Sequence, residues 1–401
     1  MTEAADPHPP DLSYPALFLR FLRFGLLAFG GPVAQIAMIR RELVEEERWV
    51  SSARFNRLLA VMQVLPGPEA HELCVHLGIH ARGRIGGLLA GLGFMLPGFA
   101  LMLLAAWAYF RFDVDRGLAG AALVGAQAAV VALIVRAVHR IGEHVLTDRG
   151  LWTIGVVACV ATLLDAPFWV ILPVSALIHV SASSGRRGEA ALLLASGVVA
   201  LGVWSLGQGG AAMPVSGASP PPGEGAWPLL FVSGLKAGLL TFGGAYTAIP
   251  FLRQDVVGRG WLGDGTFLDG VALSNVLPAP LIIFATFAGY AVGGLAGALA
   301  ITAGVFLPAF AFSMIFYDRL EAVVSDPRIR SALDGVAAAV VGLIAATAIN
   351  LAIGLTGSPL PAASIVIACV ALAALYVVKS RYAPPAILVL AGLAGLSLAL
   401  I

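Results

Sequence analysis

The sequence predicts an all-α, polytopic membrane protein of two homologous halves with inverted topology. We expect about 12–13 membrane segments, broken or re-entrant at Gly and Pro. Three observations support this fold class: the composition, the length of the uncharged stretches and an internal repeat. The 401 residues are 59% hydrophobic and 12% charged, with a mean hydropathy of +0.92. Soluble domains carry about twice that charged fraction, so too little charge remains to cover a water-exposed surface.

Long uncharged stretches supply the membrane segments. Residues 270–317 and 335–378 contain no Asp, Glu, Lys or Arg. Each is long enough for two crossings, since about 20 apolar residues span the hydrocarbon layer. Thirteen apolar segments follow, at residues 16–38, 58–79, 86–110, 118–139, 151–164, 166–182, 189–206, 228–250, 266–288, 292–317, 331–353, 360–378 and 383–400. The polar tail 1–15 lacks the basic start of a signal peptide, so we expect the first segment to be an uncleaved anchor.

The chain repeats itself across a Gly/Pro/Ser linker. The motif FGGP at residues 29–32 returns as FGGA at 242–245, and QVLPGP at 63–68 returns as NVLPAP at 275–280. Several further matches follow in the same order at a nearly constant offset, which indicates an internal duplication. The sequence therefore divides into a tail (1–15), a first half (16–206), a linker (207–226) and a second half (227–401).

Charge supports an inverted arrangement of the two halves. Seven segments precede the second copy, and this odd number starts it on the opposite side of the membrane. With the amino terminus in the cytoplasm, most basic loops fall inside, including the loop with Arg253 and Arg259. Loop 39–57 is the exception, because its five Arg and four Glu fall outside. Either its balanced charge tolerates translocation, or segments 16–38 and 58–79 are re-entrant.

Gly and Pro break the helices at matching places in both halves. The breaks are Gly30-Gly31-Pro32 and Pro66-Gly67-Pro68 in the first half, and Gly243-Gly244 and Pro278-Ala279-Pro280 in the second. Broken helices at equivalent positions predict a binding site near the midplane of the bilayer. The start of a half-helix carries about +0.5 charge and free N–H donors, so facing breaks favour an anion. The alternative interpretation is that these positions are kinks or close-packing points.

Polar residues beside the breaks complete the predicted anion site. Arg40 and Arg253 follow the Gly-Gly breaks and offer bidentate donors to an oxyanion. Anchoring of helix ends at the lipid headgroups explains these two residues equally well. Gln63 and Asn275 precede the Pro motifs, where a neutral amide either donates to an anion or binds a freed carbonyl.

Ionisable residues after the first Pro motif are candidates for proton coupling. Glu69, His71 and Glu72 lie in an otherwise apolar segment, and intramembrane ionisable groups are costly and usually functional. They could instead face an aqueous vestibule. His76 and His80 share a helix face, but no second cluster completes a metal site. The sequence contains no P-loop and no dinucleotide fingerprint, so we expect no metal, no cofactor and no enzymatic activity.

These motifs resemble the chromate ion transporter (CHR) family in its long, two-domain form. The first half carries FGGPVAQIAMIRRELVEEERW, LPGP and FMLPG, and the second carries KAGLLTFGGAYTAIPFLRQDVVGRGWL, FLDGVALSNVLPAP and ATFAGY. The resemblance implies secondary-active export of chromate by a multi-pass protein of the bacterial inner membrane. The site residues that it implies are Gly30, Gly31, Pro32, Arg40, Pro66, Gly67, Pro68, Gly243, Gly244, Arg253, Pro278 and Pro280. Two departures are Gln35, where many members have His, and Asn275, where Gln is common.

Other functions remain open at this point. Sulfate or another oxyanion is the main alternative substrate, because chromate and sulfate are both tetrahedral dianions. An intramembrane enzyme such as a chromate reductase would need a redox cofactor site, and a channel or scaffold would need no coupling. The net charge of +1 gives no reason to expect nucleic acid as a partner. The expected partners are chromate or a similar oxyanion and the lipid bilayer, and a homodimer is compatible with the sequence.

Overall fold

The computed structural model describes residues 9–63, 65–207, 223–242, 244–315, 317, 326–380 and 382–400, so most of the linker lies outside the described residues. Within them all regular structure is helical, which confirms the predicted all-α membrane fold. Four helices are long and apolar enough to cross a membrane, judged by length and composition. The boundaries of the four sequence divisions stay predictions.

The helices of the two halves correspond in order. The first half contains α1 (Tyr14–Leu26), α2 (Gly31–Arg40), α3 (Ser52–Met62), α4 (Glu69–Arg111), α5 (Gly117–Val145), α6 (Arg149–Leu163), α7 (Phe168–Ser183) and α8 (Arg187–Gly207). The second half contains α9 (Trp227–Leu239), α10 (Ala248–Val256), α11 (Asp264–Val276), α12 (Phe284–Ile315), α13 (Pro327–Gly354), α14 (Pro361–Val377) and α15 (Ala383–Ala399). Helices α9 to α15 repeat α1 to α7, and α8 has no counterpart among the described helices.

α4 and α12 each fold back on themselves at a matching glycine. Gly83 has a φ of 63° and Gly294 a φ of 58°, and both interrupt the helical geometry. Such positive φ values strain a residue with a Cβ, so glycine suits both turns. Each of these long helices is therefore a hairpin of two arms.

The two arms of each hairpin run antiparallel and pack closely. Gly78 lies against the backbone of Gly86 in α4, and Gly289 lies against that of Gly297 in α12. The first arm of α4, residues 69–81, is about 20 Å long at a rise of 1.5 Å per residue. This length is too short to cross a hydrocarbon layer of about 30 Å. The first arm is therefore re-entrant, and the second arm spans.

Ion pairs at repeat-equivalent positions fold α2 back toward α1 and α10 back toward α9. Arg23 on α1 lies 3.5 Å from Glu42, just beyond the end of α2. Lys236 on α9 lies 2.5 Å from Asp255 near the end of α10. In the first half, Asp11 before α1 pairs with Arg82 at the turn of α4, and Arg54 near the start of α3 interacts electrostatically with His76 near the same turn. The chain therefore returns, before α3, to the face at which α1 begins.

These re-entrant pairs correct the predicted topology. Segments 16–38 and 58–79 do not span, since they correspond to α1 with α2 and to α3 with the first arm of α4. Loop 39–57 consequently lies on the same face as the amino terminus, and the exception to the positive-inside pattern disappears. By the same symmetry, the loop with Arg253 and Arg259 lies at the opposite face. With the amino terminus in the cytoplasm it would fall outside, and it would then be the departure from the positive-inside pattern.

Aromatic contacts show that the two halves are inverted. His76, near the turn of α4, stacks on Tyr317 beyond the end of α12, with ring centroids 4.4 Å apart. Tyr290, near the turn of α12, stacks on Phe110 near the end of α4 at 6.1 Å. The two turns therefore lie at opposite faces. Five helical segments, the second arm of α4 and α5 to α8, separate the two copies, and this odd number is consistent with the inversion.

The halves are interwoven rather than side by side. Helices α6 and α7 pack on α13 of the second half, and α14 and α15 pack on α5 of the first half. Small residues allow this approach, because Gly342 meets the backbone of Gly155 and Gly125 meets that of Ala391. The long helices α5 and α13 are therefore each covered by two helices of the other half.

A buried carboxylate also joins the halves. Asp269 on α11 is 2% exposed. The Tyr109 hydroxyl at the end of α4 donates to Asp269 Oδ2 at 2.7 Å, and Gln127 Nε2 on α5 donates to Oδ1 at 2.8 Å. Because each carboxylate oxygen accepts a hydrogen bond, this contact fixes α11 against two helices of the other half.

Candidate functional site

Four helical segments begin at the four predicted breaks. α2 begins at Gly31 and α4 begins at Glu69, directly after Pro68. In the second half, short 3₁₀ turns begin at Ala245 and Leu281 and lead into α10 and α12. Gly243 lies outside the described residues. Each break therefore presents the start of a helix, where several N–H groups have no partner within the helix.

The breaks lie at the middle of the spanning arms. Gly25, near the end of α1, packs against Pro97, and Gly98 packs against Ala279 and Pro280. Pro97 and Gly98 are central in the second arm of α4, residues 84–111. Breaks from both halves consequently meet at the mid-height of a helix that crosses the membrane.

Hydrogen bonds join each Pro motif to the Gly-Gly region of the other half. The Gly67 N–H donates to the Thr241 carbonyl at 2.8 Å. At the repeat-equivalent place, Gln35 Nε2 donates to the carbonyl oxygens of Ala28, at 3.0 Å, and of Ala279, at 3.2 Å. Gly67 and Thr241 therefore bond directly, whereas the Gln35 amide bridges the carbonyl groups of Ala28 and Ala279. Sequence analysis singled out Gln35 only as a departure from the family pattern.

Replacing Gln35 by methionine is expected to destabilise the protein by about 1–3 kcal/mol, because two buried carbonyl groups lose their donor. Methionine preserves the length of the side chain, so packing changes little. Thermal unfolding in detergent measures the effect. Gln63→Met is the control, because the Gln63 side chain is exposed at the end of α3. Equal unfolding temperatures for the two variants would contradict the bridging role.

The equivalent amides Gln63 and Asn275 have different surroundings. Gln63 is exposed, whereas Asn275 is half-buried. The Tyr246 hydroxyl donates to Asn275 Oδ1 at 2.9 Å, and Asn275 Nδ2 donates to the Val271 carbonyl at 2.8 Å. Tyr246 follows the Gly244 break directly, so this pair connects the two breaks of the second half. Asn275 therefore supports the site through Tyr246, and only Gln63 is open to a ligand.

The structure does not bring Arg40 or Arg253 to the breaks. Arg40 ends α2, roughly 14 Å along the helix from its start, and its Nη1 donates to Asn56 Oδ1 at 3.1 Å. Arg253 near the end of α10 makes two hydrogen bonds to the Asp264 carboxylate, at 2.6 and 2.9 Å. Both guanidinium groups thus have protein partners at the far ends of their helices.

Two other arginines lie within electrostatic range of the breaks. Arg136 and Arg140 of α5 both interact electrostatically with Tyr246, and Arg140 also interacts with Glu69. Arg136 is half-buried and Arg140 is exposed. Within the described part of the chain, these two arginines therefore interact electrostatically with residues that adjoin the breaks.

Neither Arg136 nor Arg140 was among the residues predicted for the site, because both follow a long apolar run in α5 and lie far along the chain from every break. The internal repeat carried a usable signal. At the equivalent positions of α13 the residues are Ala346 and Asn350. A pair of charges present in only one of two homologous helices indicates a functional asymmetry rather than a requirement of the fold.

The three candidates for proton coupling separate into two environments. Glu69 and Glu72 are 8% and 1% exposed, and the Glu72 carboxylate lies against Gly67 at the break. The His71 ring lies instead between Phe306 and Phe310, at centroid distances of 4.9 and 4.7 Å. The carboxylates therefore belong to the break region, and His71 belongs to an aromatic contact with α12.

Comparison with known proteins agrees with the repeat. The family described as "Chromate transporter" matches residues 15–180 and 229–396, one region in each half. A chromate transport protein of Pseudomonas aeruginosa is 59% identical over 96% of this chain and 93% of its own length. One from Cupriavidus metallidurans is 34% identical over 88% and 86%. A probable chromate transport protein of Synechococcus elongatus is 29% identical over 96% of both chains. No solved structure matches the chain significantly.

Proposed function

Because this chain belongs to the chromate transporter family, we propose that it exports chromate across the bacterial inner membrane as a secondary-active transporter. Two of its relatives are named chromate transport proteins, and the chain covers most of their length. The observation that carries the proposal is the meeting of helix starts from both halves at the mid-height of the spanning arms. Transporters with inverted repeats bind their substrates at such places.

The anion site that we propose consists of the four breaks with Arg136 and Arg140. Each helix start contributes about half a positive charge, and the two guanidinium groups add charge-assisted hydrogen-bond donors for a dianion. The residues of the breaks are Gly30, Gly31, Pro32, Pro66, Gly67, Pro68, Gly243, Gly244, Pro278 and Pro280. Gln63 offers a further donor, and Asn275 positions Tyr246. Arg40 and Arg253 have a structural role in this proposal, because their partners hold α2 to α3 and α10 to α11.

Energetics favour export of a dianion. Moving two negative charges out of a negative-inside cell releases about 2 × 2.3 kcal/mol per 100 mV, a factor of roughly 10³ in concentration. Uptake of the same ion would require several coupled cations. The membrane potential by itself is therefore sufficient to drive the proposed direction.

Flux into inside-out membrane vesicles tests the function. We expect chromate to accumulate when an inside-positive potential is imposed, and accumulation to stop when the potential and the pH gradient are both collapsed. Vesicles without the protein are the control, and the chemical state of the accumulated chromate distinguishes transport from reduction. If sulfate accumulates and chromate neither accumulates nor competes, the alternative substrate replaces the proposal. Flux that depends on neither the membrane potential nor the pH gradient would indicate a channel.

A further inference from the structure

Four titratable residues occupy one face of the first arm of α4. Glu69, Glu72, His76 and His80 are spaced three, four and four residues apart, which places them on one side of a helix. We refer to them as the α4 stripe. The stripe is about 16 Å long and leads from the break after the first Pro motif toward the turn of the hairpin.

Three residues of the stripe, Glu69, Glu72 and His76, are buried, and two of them are incompletely hydrogen-bonded. Glu72 is 1% exposed and His76 is 3% exposed. Neither carboxylate oxygen of Glu72 has a hydrogen-bond partner among the described residues, and the same is true of His76 Nδ1. Leaving a buried polar group without a partner costs about 1–3 kcal/mol, and more for a charged one. Groups kept at this cost inside a membrane protein commonly form ion or proton pathways.

Charged and polar groups of three neighbouring elements face the stripe. Arg140 of α5 interacts electrostatically with Glu69, and Arg54 of α3 does so with His76. The Tyr317 ring, beyond the end of α12, stacks on His76. Ser313, within α12, donates weakly to the Glu72 carbonyl at 3.5 Å. The acidic end of the stripe thus lies beside a guanidinium group of the proposed anion site.

The stripe exists in only one half. At the equivalent positions of the second half the residues are Leu281, Phe284, Ala288 and Val292. These apolar side chains have no group that can accept or donate a proton. The stripe therefore connects the breaks to a single membrane face, the one that carries the amino terminus and the turn of α4.

We propose that Glu69 and Glu72 together take up one proton when an anion binds at the breaks, and that His76 and His80 conduct this proton from the face with the α4 turn. The inference rests on the proposed function and deepens it by naming a proton that is linked to anion binding, and the route of this proton. A hydronium ion at that face gives up the proton and becomes water. The proton adds to one carboxylate oxygen, and the carboxylate becomes a neutral carboxylic acid.

Competition for positive charge is the reason for the linkage. The Glu72 carboxylate lies against Gly67, just before the start of α4, and Glu69 interacts electrostatically with Arg140. A dianion needs the same helix start and the same guanidinium group, so an ionised carboxylate opposes its binding. Protonation removes this opposition. By reciprocity, the factor by which a proton raises anion affinity equals the factor by which the anion raises proton affinity.

Proton uptake by the purified protein tests the linkage. Sulfate is added in weakly buffered detergent solution together with a pH indicator, because the charge of sulfate stays constant in the neutral range. We expect about one proton per bound anion, and an affinity that rises up to about tenfold for each unit of decreasing pH. The double variant Glu69→Gln, Glu72→Gln should bind the anion without proton uptake and without this pH dependence. Anion-induced thermal stabilisation verifies that the variant is folded.

The outcomes separate the two proposals. Wild-type protein that binds sulfate or chromate without proton uptake overturns the linkage alone. Proton uptake that persists in the double variant also overturns it, because the proton then resides elsewhere. Wild-type protein that binds neither anion overturns the proposed function and the linkage with it.

Rates of proton uptake test the route. His76→Phe preserves the ring that stacks on Tyr317, so packing is retained while the titratable nitrogens are lost. We expect the variant to take up the same number of protons at least about tenfold more slowly, since a positioned acid–base group typically contributes more than that. His139→Phe is the matched control, because His139 is exposed near the end of α5 at the same face. Equal rates in the two variants would overturn the route through His76.

Discussion

Replacing Arg140 by alanine is expected to lower chromate transport about tenfold, and replacing Arg136 as well about a hundredfold. A hydrogen bond to a charged group is worth about 1.5–3 kcal/mol, which corresponds to roughly one to two powers of ten in affinity. Arg136 and Arg140 are the guanidinium groups within electrostatic range of Tyr246, directly after the Gly244 break. Initial rates in inside-out vesicles at an imposed potential, normalised to the amount of protein, measure the effect.

Matched variants distinguish the anion site from a general effect of charge. Arg149→Ala removes an exposed arginine at the start of α6, and we expect unchanged transport. Arg140→Lys keeps the charge and should retain part of the activity, since lysine lacks the bidentate geometry. Arg40→Ala removes a hydrogen bond to Asn56 and should lower stability more than affinity. Full activity of the double variant would exclude Arg136 and Arg140 from the site.

Replacing Asp269 by alanine is expected to destabilise the protein by about 2–6 kcal/mol, because it removes the acceptor of two donors at about 1–3 kcal/mol each. The substitution leaves the buried Tyr109 hydroxyl and the Gln127 amide without the carboxylate to which both donate. These donors lie on α4 and α5, so the loss should loosen the contact between the halves. Thermal unfolding in detergent measures the stability, and protease susceptibility of the loop before α11 measures the local opening.

The conservative substitution Asp269→Asn keeps the shape and one acceptor, so it should cost less than alanine. A double-mutant cycle of Asp269→Asn with Tyr109→Phe isolates the hydrogen bond between the two side chains. Asp264→Ala is the comparison within the same helix, because Asp264 is an exposed partner of Arg253. We expect a lower unfolding temperature for Asp269→Ala than for Asp264→Ala. If Asp269→Ala unfolds at the wild-type temperature, the buried network does not hold the halves together.

The helix breaks are the part of the candidate site that local sequence signals predict well. A glycine with positive φ, or a proline at the first turn of a helix, acts through local backbone preference, whereas Pro97 lies inside the second arm of α4 without ending it. The starts of α2 at Gly31 and of α4 after Pro68 follow from this property. The internal repeat then predicts that the second half breaks at equivalent places, and the 3₁₀ turns at Ala245 and Leu281 agree.

The charged residues of the site were harder to assign from sequence. Arg40 and Arg253 stand close to the Gly-Gly breaks along the chain, yet their helices carry them to the far ends, where Asn56 and Asp264 bind them. Arg140 is distant in sequence from every break and still interacts with Glu69. Proximity along a helix becomes separation in space at 1.5 Å per residue. The partner of a long charged side chain is therefore a tertiary property.

The sequence by itself determined the membrane class, the duplication, the positions of the helix breaks and the family. Each of these depends on composition, on apolar length or on local backbone preference, which act within a few residues. Only the tertiary structure decided that the first segments of each half are re-entrant, which face carries loop 39–57, and which arginines accompany the breaks. These features depend on contacts between distant positions, such as the hydrogen bond from Gln35 to Ala279 across 244 residues. Apolar length permits both a span and a re-entrant pair, and the packing of the two halves selects between them.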